Sequence, residues 1–199
     1  MLLWSMGLDS VELLVAFEEY FQISIPDQEA EQLYTVGQAA DCVARLRGIP
    51  LEPGRSAVYQ TVFQQVLPAL RQLHPSPTEG TLLFSLDSPY NHTRLRQQLA
   101  AALSLQVPPL PKLQRPPAQR SWVERVFNIP SLMSSDLSGS VLADLTDWLV
   151  SYNYQILLPV PSTLYEVQRA VVGLSSDRLG IGIPEIRLTD SFTHDLGVD

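Results

Sequence analysis

The sequence predicts an all-α protein on three observations. Apolar residues recur at helical spacing in segment after segment, Ser or Thr followed three residues later by Glu or Gln marks several helix starts, and proline or glycine stands where those patterns stop. Its 199 residues allow one or two domains, and an apolar fraction of 45% supports a real core.

The first element is read from Ser10 to Phe21. Val11, Leu14, Val15, Phe17 and Phe21 form its apolar stripe, and Glu12, Glu18 and Glu19 its acidic side. Asp9 reads as its N-cap, closed into a capping box by Glu12, which leaves Ser10 exposed at the first helical position. A phosphate esterified there meets the positive end of the helix dipole. Ile23-Ser24-Ile25-Pro26 breaks this helix, and Asp27 caps a short one through Glu31 and Leu33. Thr35 and Gln38 open a third helix, to about Leu46, with Gly48 and Pro50 as its stop. Cys42, beside Ala39 and Val43, reads as packed core rather than nucleophile.

Ser56 to Leu73 follows as an amphipathic helix with an expected kink at Pro68. Thr81 to Leu86 reads equally as strand or packed loop. A helix starting near Asp87 or Ser88 and reaching Leu105 places Leu95, Leu99 and Leu103 on one face, with Arg94 and Arg96 elsewhere. Five prolines between Val107 and Pro117 make an extended connector. Ser121 and Glu124 open a short helix through Trp122, Val126 and Phe127, and a further helix from about Ser140 to Tyr154 buries Leu142, Leu145, Leu149 and Tyr152. Pro159 and Pro161 mark a boundary. Thr163 and Glu166 then make a capping box ahead of Leu164, Val167, Val171 and Leu174.

Charge and motifs exclude several functions. The net charge of −8 is uneven: residues 1–50 hold eight acids and two arginines, residues 51–161 seven acids and eight bases, and residues 162–199 six acids and three arginines. Acidic ends argue against nucleic-acid binding and suit basic partner surfaces. A single cysteine excludes an internal disulfide and fits a reducing, cytoplasmic compartment. No apolar run approaches ~20 residues, so no membrane span is expected, and Met1-Leu2-Leu3-Trp4 does not read as a signal peptide. His74, His92 and His194 lack any partner motif, and no metal-ligand spacing or glycine-rich phosphate loop occurs, so the chain is not expected to be an enzyme. A fold that joins the two chain ends would place His194 near Ser10.

Gly7-Leu8-Asp9-Ser10-Val11-Glu12-Leu13, the helix ending in Glu18-Glu19-Tyr20-Phe21, Ile23-Ser24-Ile25-Pro26-Asp27 and the Thr35-Val36-Gly37 helix start together resemble helices two to four of an acyl carrier protein, over roughly residues 6–47. The resemblance implies that Ser10, in its turn of Gly7, Leu8 and Asp9, receives 4′-phosphopantetheine. It further implies that Glu12, Glu18 and Glu19 recognise basic patches on a phosphopantetheinyl transferase and on acyl-transferring or condensing enzymes, in fatty-acid, polyketide or related biosynthesis. The first helix and long loop of that family should precede the serine, where only nine residues stand. Residues 162–199 resemble them instead, ending at Leu196-Gly197-Val198-Asp199, so an x-G-x-D turn is written at each end.

The expected architecture is therefore an acyl-carrier-like four-helix bundle assembled from both chain ends. Residues 1–50 supply helices two to four, 162–199 supply helix one and the loop, and 51–161 form a small helical insert that tethers the ends, shields the acyl group or recruits a partner. Three other readings of the last segment stay open: the start of a second carrier domain, a piece that completes a neighbouring molecule in a swapped dimer, or an imperfect reading frame. Closure in a monomer is preferred because an exposed half-core is an aggregation liability. The second functional reading is an unmodified module that holds a basic partner on its acidic helix.

Overall fold

The computed structural model describes residues 8–86, 93–110 and 140–198. Eight α-helices are described: α1 Leu8–Phe21, α2 Asp27–Ala30, α3 Val36–Leu46, α4 Ala57–Leu70, α5 Thr93–Ala102, α6 Leu142–Tyr152, α7 Tyr154–Leu157 and α8 Leu164–Leu179, with 3-10 turns at Leu83–Ser85 and Ile183–Glu185. Among the described residues there is no strand, only two isolated antiparallel bridges, Thr35 with Ser191 and Leu82 with Val141. The short helix expected from Ser121 and most of the proline connector lie outside the described residues.

The described residues up to Gln60 and from Val150 onward form one compact unit, and those from Thr61 to Leu149 a second, the division falling within α4 and α6. In the first unit both α1 and α3 pack against α8, as does α7. Helices from the two ends of the sequence thus share one core. In α8 ten of sixteen residues are buried, including Val167, Val171, Val172 and Leu174.

Helix ends explain the boundaries. The hydroxyl of Thr35 accepts the Gln38 N–H while the Gln38 side chain accepts the Thr35 N–H, the capping box expected for α3. Its C-terminus closes with Gly48 N–H on Arg45 O and Ile49 N–H on Ala44 O, Gly48 turning at φ +68°. That is the pattern for which glycine is favoured one residue beyond a helix. Helix α1 closes similarly, with Ile23 N–H on Glu18 O, but Gln22 takes the left-handed turn at φ +53°. In α8 the expected box is only half present: Thr163 Oγ1 accepts the Glu166 N–H, whereas Glu166 Oε2 accepts from Ser162 N (2.8 Å) and Ser162 Oγ (3.0 Å) rather than from Thr163. Helix α2 is shorter than expected and is preceded by Pro26 as its N-cap, with Asp27 already helical. Pro68 falls in the last turn of α4, which stops two residues later. Thr81 to Leu86 forms a single 3-10 turn held through Leu82 and Val141.

Two expected apolar faces are corrected. Val15 is 42% exposed, while Leu13, Ala16, Phe17 and Phe21 are buried, so α1 is rotated relative to the expected stripe. Tyr152 is exposed at the end of α6, although Leu142, Leu145 and Leu149 are fully buried as expected. In the second unit Leu95, Leu99 and Leu103 are buried on one side of α5, and Arg94 and Arg96 are exposed.

Tyr20 ties α1 to the end of α7. Its hydroxyl donates to Leu158 O at 2.5 Å, and its ring meets those of Phe21 and Tyr154 edge to face. Burial, then the neighbouring Tyr154, pushes the Tyr20 hydroxyl up from 10.0 to about 12. Cys42 is buried and donates through Sγ to Glu29 Oε2 at 3.1 Å. Burial first, then that hydrogen bond and the Glu29 charge, push its thiol from 9.0 to about 12, against the opposing pull of Arg45. Both groups are held neutral, so their stabilisation is complete below pH 9 and is lost as pH rises toward 12. Urea midpoints measured across that window should fall, and the fall should be shallower in Tyr20→Phe, which cannot ionise there. An equal slope in the variant refutes the assignment to Tyr20.

Candidate functional site

Ser10 is the third residue of α1, not the first, and is half-buried rather than exposed. The helix starts at Leu8, so Asp9 is itself helical and exposed in the first turn. An N-cap needs non-helical backbone, so the expected Asp9–Glu12 capping box is corrected. Asp9 instead places its charge where the helix dipole favours an anion. Gly7 lies outside the described residues, and Leu8 contributes the first helical backbone position.

Beside Ser10 opens a cavity of about 240 Å³. Leu13, Leu14 and Phe17 of α1, Ala30 of α2, Leu33, Phe192 and Val198 give it apolar walls, and Glu31, Tyr34 and Thr193 add polar atoms. The cavity is open to solvent on one side, and its largely apolar walls offer a hydrocarbon chain surface to bury against. Its walls come from segments more than 150 residues apart in sequence. No periodic pattern marks Phe192, Thr193 and Val198, which is why the sequence reading did not single them out. Phe17 belongs to the expected apolar stripe of α1, whereas Leu13 does not.

The C-terminal wall is anchored to α3. Val36 N–H donates to Asp190 O (3.1 Å), Gly37 N–H to Leu188 O (2.8 Å), and Phe192 N–H to Tyr34 O (3.0 Å). A Cβ on Gly37 would stand 2.9 Å from Leu188 O, so this approach requires glycine. Ser191 N–H bonds Asp195 Oδ2 at 2.8 Å, and Val198 N–H bonds Phe192 O at 2.8 Å, folding the loop on itself. Gly197, in the second writing of the x-G-x-D turn, takes φ +68°. His194 is exposed, its N–H on Ser191 Oγ, and it does not line the cavity.

The three glutamates separate. Glu12 and Glu19 are exposed with Val15 on the same face of α1. Glu18 is half-buried, and its Oε1 accepts the Ile25 N–H at 2.6 Å, so it holds the turn after α1. Among the described residues no group of three His, Cys, Asp or Glu side chains is arranged to hold a metal ion, and no helix is long and apolar enough to cross a membrane.

Comparison with known proteins finds partial similarity to acyl carrier proteins. The chain is 54% identical over 42 residues to an acyl carrier protein of Picosynechococcus sp., covering 21% of this chain and 52% of that protein. It is 57% identical over 38 residues to the mitochondrial acyl carrier protein of Saccharomyces cerevisiae, covering 19% and 30%. With an acyl carrier protein of Akkermansia muciniphila it shares 46% over 42 residues, covering 21% and 52%. The chain thus matches about half the length of two of these relatives and less than a third of the other. No family model matches the chain, and no solved structure matches it. Because one of these relatives is mitochondrial, the similarity does not favour the cytoplasm over that organelle.

Proposed function

We propose that this chain is an acyl carrier protein whose Ser10 bears a 4′-phosphopantetheine arm. The observation that carries the reading is the place of Ser10: in the first turn of a 14-residue helix and on the lining of an apolar cavity. The residues present fit the arm. A phosphate on the Ser10 hydroxyl lies where a helix N-terminus favours negative charge, and the adjacent cavity offers apolar walls to a hydrocarbon chain. When attached, the arm supplies the thiol that carries an acyl group as a thioester. The protein's own part is to present Ser10 in the first turn of α1 behind Leu8 and Asp9, to cover the chain with Leu13, Phe17 and Phe192, and to offer a docking face.

Glu12 and Glu19, flanking exposed Val15, fit the basic patches of a phosphopantetheinyl transferase and of acyl-transferring or condensing enzymes. Glu18 belongs to this face by position but is already engaged with Ile25. In the proposed arrangement α8 and residues 180–198 stand in for the first helix and loop of the carrier fold. The packing of α1 and α3 on α8 is the arrangement that closure in a monomer requires. The residues between the two parts would then be a helical insert.

Coexpression with a phosphopantetheinyl transferase, followed by intact-mass measurement, tests the reading. One arm should be gained by the wild-type protein and none by Ser10→Ala. A wild-type protein that gains no arm, or a Ser10→Ala variant that does, refutes the carrier assignment. The exposed Glu12, Val15 and Glu19 would then favour the second reading, an unmodified module that holds a basic partner on α1.

A further inference from the structure

A second cavity in the first unit, of about 270 Å³, shares no residue with the one beside Ser10. Two stretches far apart in sequence wall it: the approach to α4, with Glu52, Arg55 and Ser56, and the approach to α8, with Ser162 and Thr163. The two helix starts are finished differently. At α8 the Thr163 hydroxyl accepts the Glu166 N–H and the Glu166 carboxylate accepts from Ser162, so that helix supplies its own anion. Helix α4 has no acidic residue in its first turn. Ser56 stands one residue before it, where a serine hydroxyl ordinarily caps. Yet Ser56 is only 7% exposed, and its Oγ has no hydrogen-bond partner among the described residues. A buried hydroxyl without a partner is a cost that a bound oxyanion removes.

Arg55 adds a positioned cation. Its guanidinium carbon lies 4.3 Å from the centroid of the Tyr59 ring, and that buried ring meets Tyr165 of α8 edge to face at 5.9 Å. A guanidinium stacked on an aromatic face donates hydrogen bonds in its own plane, the geometry that suits a phosphate.

We propose that this second cavity binds a small phosphate monoester, with Arg55 and the Ser56 hydroxyl holding the phosphate at the positive end of α4. Such a group carries about −1.5 to −2 charge at pH 7, which the helix end and the guanidinium offset together. Pro50, Pro53 and Leu164 line the same cavity and offer apolar surface to a compact organic group. Glu52 also lines it and opposes the anion, so its carboxylate lowers the affinity. A bound ester touches the approaches to both α4 and α8.

The full-length protein is titrated with inorganic phosphate and with glycerol 3-phosphate at constant ionic strength. Amide shifts are followed by NMR at Ser56, Val58 and Thr163, with Val36 at the start of α3 as a second helix end for reference. A chain of net charge −8 repels phosphate as a whole, so saturable shifts report a local site. Both probes should shift the three amides saturably and leave Val36 in place. Arg55→Gln should weaken binding about tenfold and Ser56→Ala about threefold, whereas Glu52→Gln should tighten it about threefold. A gain in Glu52→Gln cannot arise from a folding defect. Absence of saturable shifts, equal shifts at Val36, wild-type affinity in Arg55→Gln, or no gain in Glu52→Gln each overturns the proposal. Saturation by inorganic phosphate with no response to the ester overturns the assignment to a monoester. None of these readouts involves Ser10, so they succeed or fail separately from the mass measurement on the carrier reading.

Discussion

A chain cut back to Pro161 is expected to lose the cooperative unfolding of the unit that contains α1 and α3, and with it the modification of Ser10. Removing residues 162–199 takes away α8, against which both helices pack. Burial of Leu164, Val167, Val171, Val172 and Leu174 is worth about 1.5–3 kcal/mol for each side chain. Five such residues already amount to roughly 8–15 kcal/mol, the order of a whole domain's stability. The same cut exposes Leu13, Phe17 and Val43 and strips the α3 N-terminus of the Leu188 and Asp190 carbonyls. Circular dichroism in urea should show no sigmoidal transition for residues 1–60, and coexpression with the transferase should leave the truncated chain unmodified. A truncated protein that unfolds cooperatively and accepts the arm efficiently would count decisively against joint folding of the two ends.

The second large effect is expected at Gly173, in the middle of α8. A Cβ there would lie 2.4 Å from Tyr154 Cδ1 and 2.5 Å from Ser151 O. The ring of Tyr154 is itself held: its hydroxyl donates to Asp177 Oδ2 at 2.9 Å, and its ring lies at 64° to that of Tyr20, 5.2 Å between centroids. Neither the ring nor the backbone carbonyl yields cheaply. Alanine is the better helix former by about 1 kcal/mol, but overpacking of this kind typically costs about 1–3 kcal/mol and occasionally more. Gly173→Ala should therefore destabilise the protein by up to about 2 kcal/mol net, read as a lower urea midpoint at unchanged slope. A stabilised variant would show that α6 and α7 do not approach α8 this closely.

The helix ends were the most legible part of the sequence, because capping is local. Thr35, Gln38 and Gly48 bound α3 through bonds that span at most five residues, and the spacing alone announces them. Cys42 was legible as core for a similar reason, since its neighbours on one helix face are apolar. The face of α1 was not. Leu13-Leu14-Val15-Ala16-Phe17 is five apolar residues in a row, and such a run admits more than one apolar stripe. The packing of α1 against α8 turned Leu13 and Ala16 inward and left Val15 in solvent.

The start of α1 shows the same limit. Asp9 has the chemistry of an N-cap, but its role depends on where the chain becomes helical, and that happens at Leu8. Glu18 looks like one more member of an acidic face until the turn after α1 brings the Ile25 N–H to its carboxylate. Charge pattern cannot separate a docking glutamate from one that holds a turn.

By itself the sequence determined the helical class, most of the helix starts and stops, the buried cysteine and the serine-bearing acidic helix, because each rests on interactions within a few residues. That both chain ends share one bundle was also expected, through their resemblance to one family rather than through spacing, and α1 and α3 do pack on α8. Only the tertiary structure decided the rotation of α1 and the cavity beside Ser10. The first depends on α8 and the second on Phe192 and Val198 lining one cavity with Leu13 and Phe17, and local spacing carries no record of partners so distant in sequence.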